Sequence, residues 1–366
     1  MKSENKDIYI IGGGPAGMAL AHYANKNNIS FSLFEKNKVV GGNCKTIQSG
    51  DFLFDTGAHR LHDKNPKVTK EIKILMGSEL TKVSSPSKIF YNGKMINFPI
   101  SIIDLIKKID LKVTLKIIKD NIFFNFKDTA SINNFQDFAF STYGKTLSNL
   151  FLTNYSEKLW GENAKNLSSD ISGGRLKNLN LITIIKQLVL NKESQSKHLD
   201  GDFLYPQYGF GTIFTSIYDS LNKDDVFLQS NITEILVKDN IVDSIIINDD
   251  EKINVNKVIS TLPLPLLIRK INCEIPDEIN TIINSINYRS VKLFVLFLNK
   301  NSFSNNASIY FPQKNIPFTR IYEPKNRSLY MAPKNQTCIV IELPYNHNEP
   351  SENHNVEEIK LALIDN

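Results

Sequence analysis

Cysteine is scarce in this chain, with three in 366 residues. Cys44, Cys273 and Cys338 lie far apart and form no C-x-x-C pair. That spacing argues against a disulfide framework or a metal site and for a reduced compartment. Charge of one sign is nowhere concentrated. The net +5 arises from lysines scattered among acids, so no basic block calls for nucleic acid. Long apolar runs are also missing: the longest, such as 293–298, are strand-sized, well short of the roughly 18 residues a membrane span needs. The polar opening 1–7 leads straight into an apolar strand, with no apolar signal segment before it. A cytoplasmic location is expected. No Ser/His/Asp order and no P-loop is present. The 41% hydrophobic and 22% charged content is that of a soluble globular protein, and the length calls for two domains.

What is present is a glycine turn in full context. Ile8-Tyr9-Ile10-Ile11 reads as a buried strand, and Gly12, Gly14 and Gly17 fit G-x-G-x-x-G before an Ala-rich helix through about Asn25. Gly12 permits the tight turn, Gly14 lets the backbone approach a pyrophosphate, and Gly17 lets helix and strand pack closely. The helix start offers N–H groups and partial positive charge to that pyrophosphate. A second strand, Phe31-Ser32-Leu33-Phe34, ends at Glu35, where a carboxylate accepts hydrogen bonds from an adenosine ribose. Glu35 would repel a 2′-phosphate, which disfavours NADP. Gly41-Gly42 follows, and nicotinamide-binding Rossmann domains do not require such a doublet. Small residues at Gly57-Ala58-His59 permit a flat ring to lie against the main chain.

The glycine turn, Glu35, Gly41-Gly42 and Phe54-Asp55-x-Gly57-x-His59 together resemble the FAD-binding half of the flavin amine oxidase superfamily. That superfamily includes protoporphyrinogen oxidase-like and UDP-galactopyranose mutase-like flavoproteins. The resemblance implies FAD as cofactor and an α/β fold, a Rossmann-like FAD-binding domain with an inserted α+β substrate or cap domain. It places Gly12, Gly14, Pro15, Ala16, Gly17, Glu35, Lys36, Gly41, Gly42, Asn43, Gly57, Ala58, His59, Ile232 and Thr261 at the cofactor, Ile232 through its backbone against adenine. Asn43-Cys44-Lys45 stands where oxidase branches carry Arg, so a fixed cation is lost there. The expected cofactor domain is 1–88 with 203–266, and the substrate domain is 89–202 with 267–366.

The remainder fits the same resemblance. Residues 88–99 read as a hairpin on an Asn-Gly turn. Residues 100–126 read as mostly helical, with Lys107, Lys108, Lys112, Lys116 and Lys119 as a solvated face and peripheral membrane contact as the less favoured reading. The order Tyr155-x-x-Lys158-x-Trp160-Gly161, then Leu-Ser, then Arg175, is similar to the family's cap domain and puts Tyr155, Trp160 and Arg175 near substrate. Tyr-Pro-x-x-Gly-x-Gly at 205–211 is similar to the turn that re-enters the cofactor domain. The run 291–298 reads as a central strand, and Arg320 and Tyr322 are candidates to line the substrate cavity. The late flavin-covering motif of the family is not found after Leu343. That leaves a fragment, a protein completed by another chain, or a weakly FAD-binding relative as expectations.

The activity implied is hydride transfer from a small organic substrate to flavin, with no base assigned. The alternatives are a mutase-like isomerase acting on a nucleotide sugar, with Arg175, Arg289 and Arg320 for its diphosphate, and a truncated non-catalytic relative.

Overall fold

The structure is a computed structural model, and it describes residues 5–98, 100, 102–124, 132–171, 202–347 and 350–365. It divides into two compact units, the first comprising 1–81 with 205–288, the second 82–204 with 289–366.

The first unit is built on a four-stranded parallel sheet. Ile8–Ile11 lies at its centre, between Val258–Ser260 on one side and Phe31–Phe34 on the other, and Val226–Phe227 continues beyond Phe31–Phe34. Successive side chains on a strand face opposite sides, and both sides here are covered. Ile8, Ile10, Phe31 and Leu33 pack with Met18, Ala21 and Ala24 of helix Pro15–Lys26 and with Ile213, Phe214 and Ile217 of helix Thr212–Ser220. Tyr9, Ile11 and Phe34 instead meet Ile232, Ile235, Ile245, Ile247 and Ile253. Those belong to a second four-stranded sheet, in the order 251–254, 241–247, 232–238, 271–272. Two covered faces explain why the first strands are continuously apolar rather than alternating.

The unit boundaries differ from the expected ones at 88 and 266. Strand Ile271–Asn272 pairs in parallel with Ile232–Lys238, and Leu267 and Ile271 join its core, which keeps the chain in the first unit through Tyr288. Ser87–Tyr91 belongs to the sheet of the second unit, so the earlier crossing falls before it.

The second unit carries a six-stranded sheet in the order 290–298, 337–345, 320–322, 308–310, 87–91, 94–98. Asn92 (φ 48°) and Gly93 (φ 73°) both sit in the left-handed region at the hairpin tip, as a two-residue turn of this kind requires. One face of the sheet packs Phe90, Phe294, Ile309, Ile321, Ile339 and Ile341 against Ile359 of the terminal helix Val356–Ile364. That helix is capped reciprocally by Asn355 and Glu358. The other face packs Ile89 and Ile96 against Leu105, Ile117, Tyr143, Leu147 and Phe151. The apolar run 291–298 is not central. Ser290–Leu298 ends the six-stranded sheet, with Val291 and Phe297 about half exposed, and the strand buried along nearly its whole length is Thr337–Tyr345. The expected long helix over 100–126 is two helices, Ile102–Lys108 and Leu111–Phe124, interrupted at Ile109-Asp110. Among the described residues no helix is long and apolar enough to cross a membrane.

Candidate cofactor site

The glycine turn is assembled by exclusion of side chains. Gly12 has φ +101°, and a Cβ there would lie 2.5 Å from Thr261 Oγ1. Gly17 is tighter still: a Cβ would fall 1.9 Å from the Gly12 carbonyl oxygen. Helix and turn can therefore touch only because neither position carries a side chain. Gly14 is different. Its Cβ would meet nothing nearer than Gly42 Cα at 3.9 Å, so protein packing does not explain the missing side chain. Gly42 (φ +55°) faces it, with a Cβ that would lie 3.0 Å from Gly14 Cα. The two glycines border a side-chain-free lane at the start of helix Pro15–Lys26, where no side chain caps the helix and Pro15 and Ala16 are exposed. Backbone approach to a pyrophosphate at a helix N-terminus needs a lane of this kind.

Glu35 sits beside that lane, 5% exposed. Its Oε2 accepts from Gly13 N (2.7 Å), and its Oε1 accepts from Asn37 N (2.8 Å) and Asn37 Nδ2 (2.6 Å). An ionised carboxylate has about four acceptor positions, so three bonds leave Oε2 able to accept one more, as a ribose hydroxyl would supply. Glu35 thus also fastens the turn itself. Lys36 is exposed. Gly41 N donates to Gly13 O (2.8 Å), which fixes the doublet against the first turn. Thr261 donates from N (2.9 Å) and Oγ1 (3.0 Å) to Ile11 O, bracing the end of the first strand. Ile232 opens the second sheet with its side chain in the core, opposite Ile247, at an irregular register step.

Downstream, Thr56 Oγ1 (2.7 Å) and His59 Nε2 (3.0 Å) both reach the carbonyl oxygen of Asn43. A carbonyl only accepts, so Nε2 carries the proton and the other ring nitrogen, Nδ1, faces Cys44 Sγ at 4.0 Å. Gly57 (φ +153°) lies under the ring, with room for a Cβ only 3.3 Å from Nε2, and Ala58 is half-buried beside it.

Sequence reasoning gave Asp55 no role, yet it is the centre of a buried network. It is fully buried, and its carboxylate accepts from Thr46 Oγ1 (2.7 Å), Phe210 N (2.9 Å) and the Tyr205 hydroxyl. Gly211 N in turn donates to Thr46 Oγ1 (2.9 Å). Hairpin 46–55 is thereby tied to the turn that starts helix Thr212–Ser220. The signal was available: Asp55 and Tyr205 stand in the two quoted motifs, but spacing alone does not show that they bond each other.

In the second unit, Tyr155 packs edge-on to Tyr310 (5.9 Å), and Tyr310 lies 6.0 Å from the Arg320 guanidinium. Arg320 makes a two-pronged pair with Glu342, both bonds at 2.8 Å. Burial alone would lower the Arg320 pKa, but Glu342 holds it raised. A cation neutralised in this way is a poor receptor for a diphosphate. Tyr322 is 2% exposed with Arg327 stacked 4.5 Å from its ring. It belongs to the buried core, two positions along the strand from Arg320 and so on the same face of the sheet. Trp160 ends helix Asn154–Trp160, about half exposed, before Gly161 (φ 68°). Arg289 donates from Nε to Leu159 O (3.0 Å) and from another guanidinium nitrogen to Lys158 O (3.1 Å), covering the helix's last carbonyls. Lys158 Nζ donates to the carbonyls of Phe311, Gln313 and Phe318 at 2.7–2.9 Å, while burial pulls its pKa down to about 7. Arg175 lies outside the described residues.

Fold and turn together define a mixed α/β protein with a Rossmann-like dinucleotide-binding domain and an additional sheet domain. A family model described as an NAD(P)-binding Rossmann-like domain matches residues 10–73, and one described as UDP-galactopyranose mutase matches 150–358, more than half the chain. The chain belongs to the UDP-galactopyranose mutase family. Among solved structures it resembles a reduced UDP-galactopyranose mutase (18% identity, TM-score 0.85, covering 98% of this chain and 78% of that one). It also resembles a protein provisionally called protoporphyrinogen oxidase from Exiguobacterium sp. 255-15 (14%, 0.75, 99% and 82%). A putrescine oxidase bound to putrescine is a further match (13%, 0.63, 99% and 80%). At these identities the structural likeness is one of fold.

Proposed function

We propose that this chain binds FAD in the first unit and isomerises the sugar of a uridine diphosphate hexose. The observation that carries the cofactor half is the glycine-lined, uncapped start of helix Pro15–Lys26, where Gly14 has room for a side chain that the sequence omits and Glu35 keeps one unused acceptor position. The family match over 150–358 supports the isomerase over the oxidoreductase reading, because it covers much of the second unit and the family is one of mutases.

The backbone N–H groups at the helix start take the pyrophosphate, Glu35 Oε2 takes a ribose hydroxyl, and the Ile232 main chain meets adenine. Lys36 and Asn43 add polar contacts at the rim, while Gly57 and Ala58 leave room for the ring. Thr261 and the Asp55 network hold the pieces in register. Reduced flavin, when bound, would supply the electron-rich chemistry that an isomerisation without net oxidation needs. Arg289, which donates to the carbonyl oxygens of Leu159 and Lys158, is with Arg175 the cation set for the diphosphate; Arg320 is withdrawn from it by Glu342. Tyr155 and Trp160 are the aromatic candidates for the nucleotide or sugar face.

The test is the absorbance spectrum of the purified chain, followed by incubation with UDP-galactopyranose before and after reduction with dithionite. Turnover confined to the reduced protein is the expected result. Bleaching of oxidised flavin by an amine or a porphyrinogen, without isomerisation, would replace it with the oxidoreductase reading. A colourless chain that FAD does not stabilise would end both.

A further inference from the structure

Helix Leu111–Phe124 has three chemically distinct sectors over the residues whose side chains are described. Thr114 and Ile117 are buried and Val113 is half-buried, which fixes the inward face. At about 100° per residue, Ile118, Leu111 and Leu115 then occupy one outward arc of about 60°, and Lys119, Lys112 and Lys116 occupy the next. All six are exposed, Leu111 at 68% and Leu115 at 56%. A solvated helix face does not normally present such a stripe, and large apolar residues in a row are costly to leave in water. The preceding helix adds exposed Ile106 and Lys107.

The nearby acids do not cancel this charge. Asp110 accepts from Lys112 N at the helix start (2.8 Å), and Asp120 accepts from Thr146 N and Oγ1 (2.8 and 2.6 Å). Asp104 pairs with Lys108 (2.6 Å), which removes only that lysine. Among the described residues, Lys107, Lys112, Lys116 and Lys119 enter no ion pair. An apolar arc flanked by a lysine arc matches an anionic bilayer surface, where leucines enter the acyl boundary and ammonium groups meet phosphate headgroups. We infer that this helix docks the protein peripherally on anionic lipid, independently of the cofactor chemistry.

The experiment is flotation of the full chain with phosphatidylcholine vesicles, with and without phosphatidylserine, over a salt series. Binding should require the anionic lipid and weaken as salt rises. The variant K112Q/K116Q/K119Q should lose about 100-fold in partitioning, at roughly fivefold per lysine. L111E/L115E should abolish it, with an unchanged circular dichroism melt because both side chains are already exposed. Equal binding to neutral vesicles, or no vesicle binding at all, overturns the proposal. Concentration-dependent self-association that L111E/L115E removes, with no effect of lipid, would overturn it in favour of a second copy.

Discussion

Gly17 and Gly14 illustrate how one residue type serves two purposes that sequence spacing does not separate. Gly17 has no room for a Cβ because the Gly12 carbonyl is already there, so Gly17→Ala should destabilise the fold by about 1–3 kcal/mol, the cost of overpacking, whether or not cofactor is present. Urea denaturation of the cofactor-free protein checks this. Gly14 has room on the protein side, so Gly14→Val should leave that stability nearly unchanged and remove FAD binding instead. Lys158 is a third case, with three carbonyl acceptors gathered round a buried Nζ. Lys158→Met strips those carbonyls of a shared donor and should cost about 1–3 kcal/mol. The folded pKa lies near 7, below the ordinary value of 10.5. Between those values the unfolded chain holds a proton that the folded chain has released. Unfolding therefore takes up a proton, and stability rises with pH across this window. Stability measured from pH 7 to 10 should show this upward slope, and Lys158→Met should flatten it.

At the scale of elements, hairpin 46–55 and the turn before helix Thr212–Ser220 are separated by about 150 residues of chain and joined by one carboxylate. Tyr205→Phe removes one donor to Asp55 and should cost about 1.5–3 kcal/mol, the range for a hydrogen bond to a charged group. Asp55→Asn keeps one oxygen for Thr46 and Phe210 but turns an N–H pair toward the Tyr205 hydroxyl in place of the second carboxylate oxygen, and should cost at least as much. Since the same network orders residues 43–59, both variants should also weaken FAD, and flavin fluorescence titration would register it. A stability loss with unaltered flavin affinity would show that the network serves packing alone. The strands were legible to different degrees for a related reason. The Asn92-Gly93 hairpin was readable because its turn chemistry is local. The run 291–298 looked central because it is apolar, whereas centrality depends on which neighbours pair on each side, and among the described residues only one side of it is paired.

For the whole molecule, FAD should raise the unfolding temperature by mass action, about 2.7 kcal/mol of stabilisation at a hundredfold excess over Kd, read as a shift of several degrees by calorimetry and absent in Gly14→Val. The sequence by itself determined the glycine turn, the acid at the end of the second strand and the two-domain plan. Each depends on residues near one another in the chain, where steric and hydrogen-bonding rules act over a few positions. It also supplied Asp55, Tyr205 and Arg320 as letters in motifs. Their partners were decided only by tertiary structure: Asp55 meets Tyr205 across 150 residues, Arg320 is neutralised by Glu342 on a neighbouring strand, and Tyr322 is packed into the core. The same holds for the continuation of the first unit to Tyr288, fixed by the pairing of Ile271–Asn272 with Ile232–Lys238. Charge compensation and burial are properties of what surrounds a side chain, and that environment exists only once distant segments have packed together.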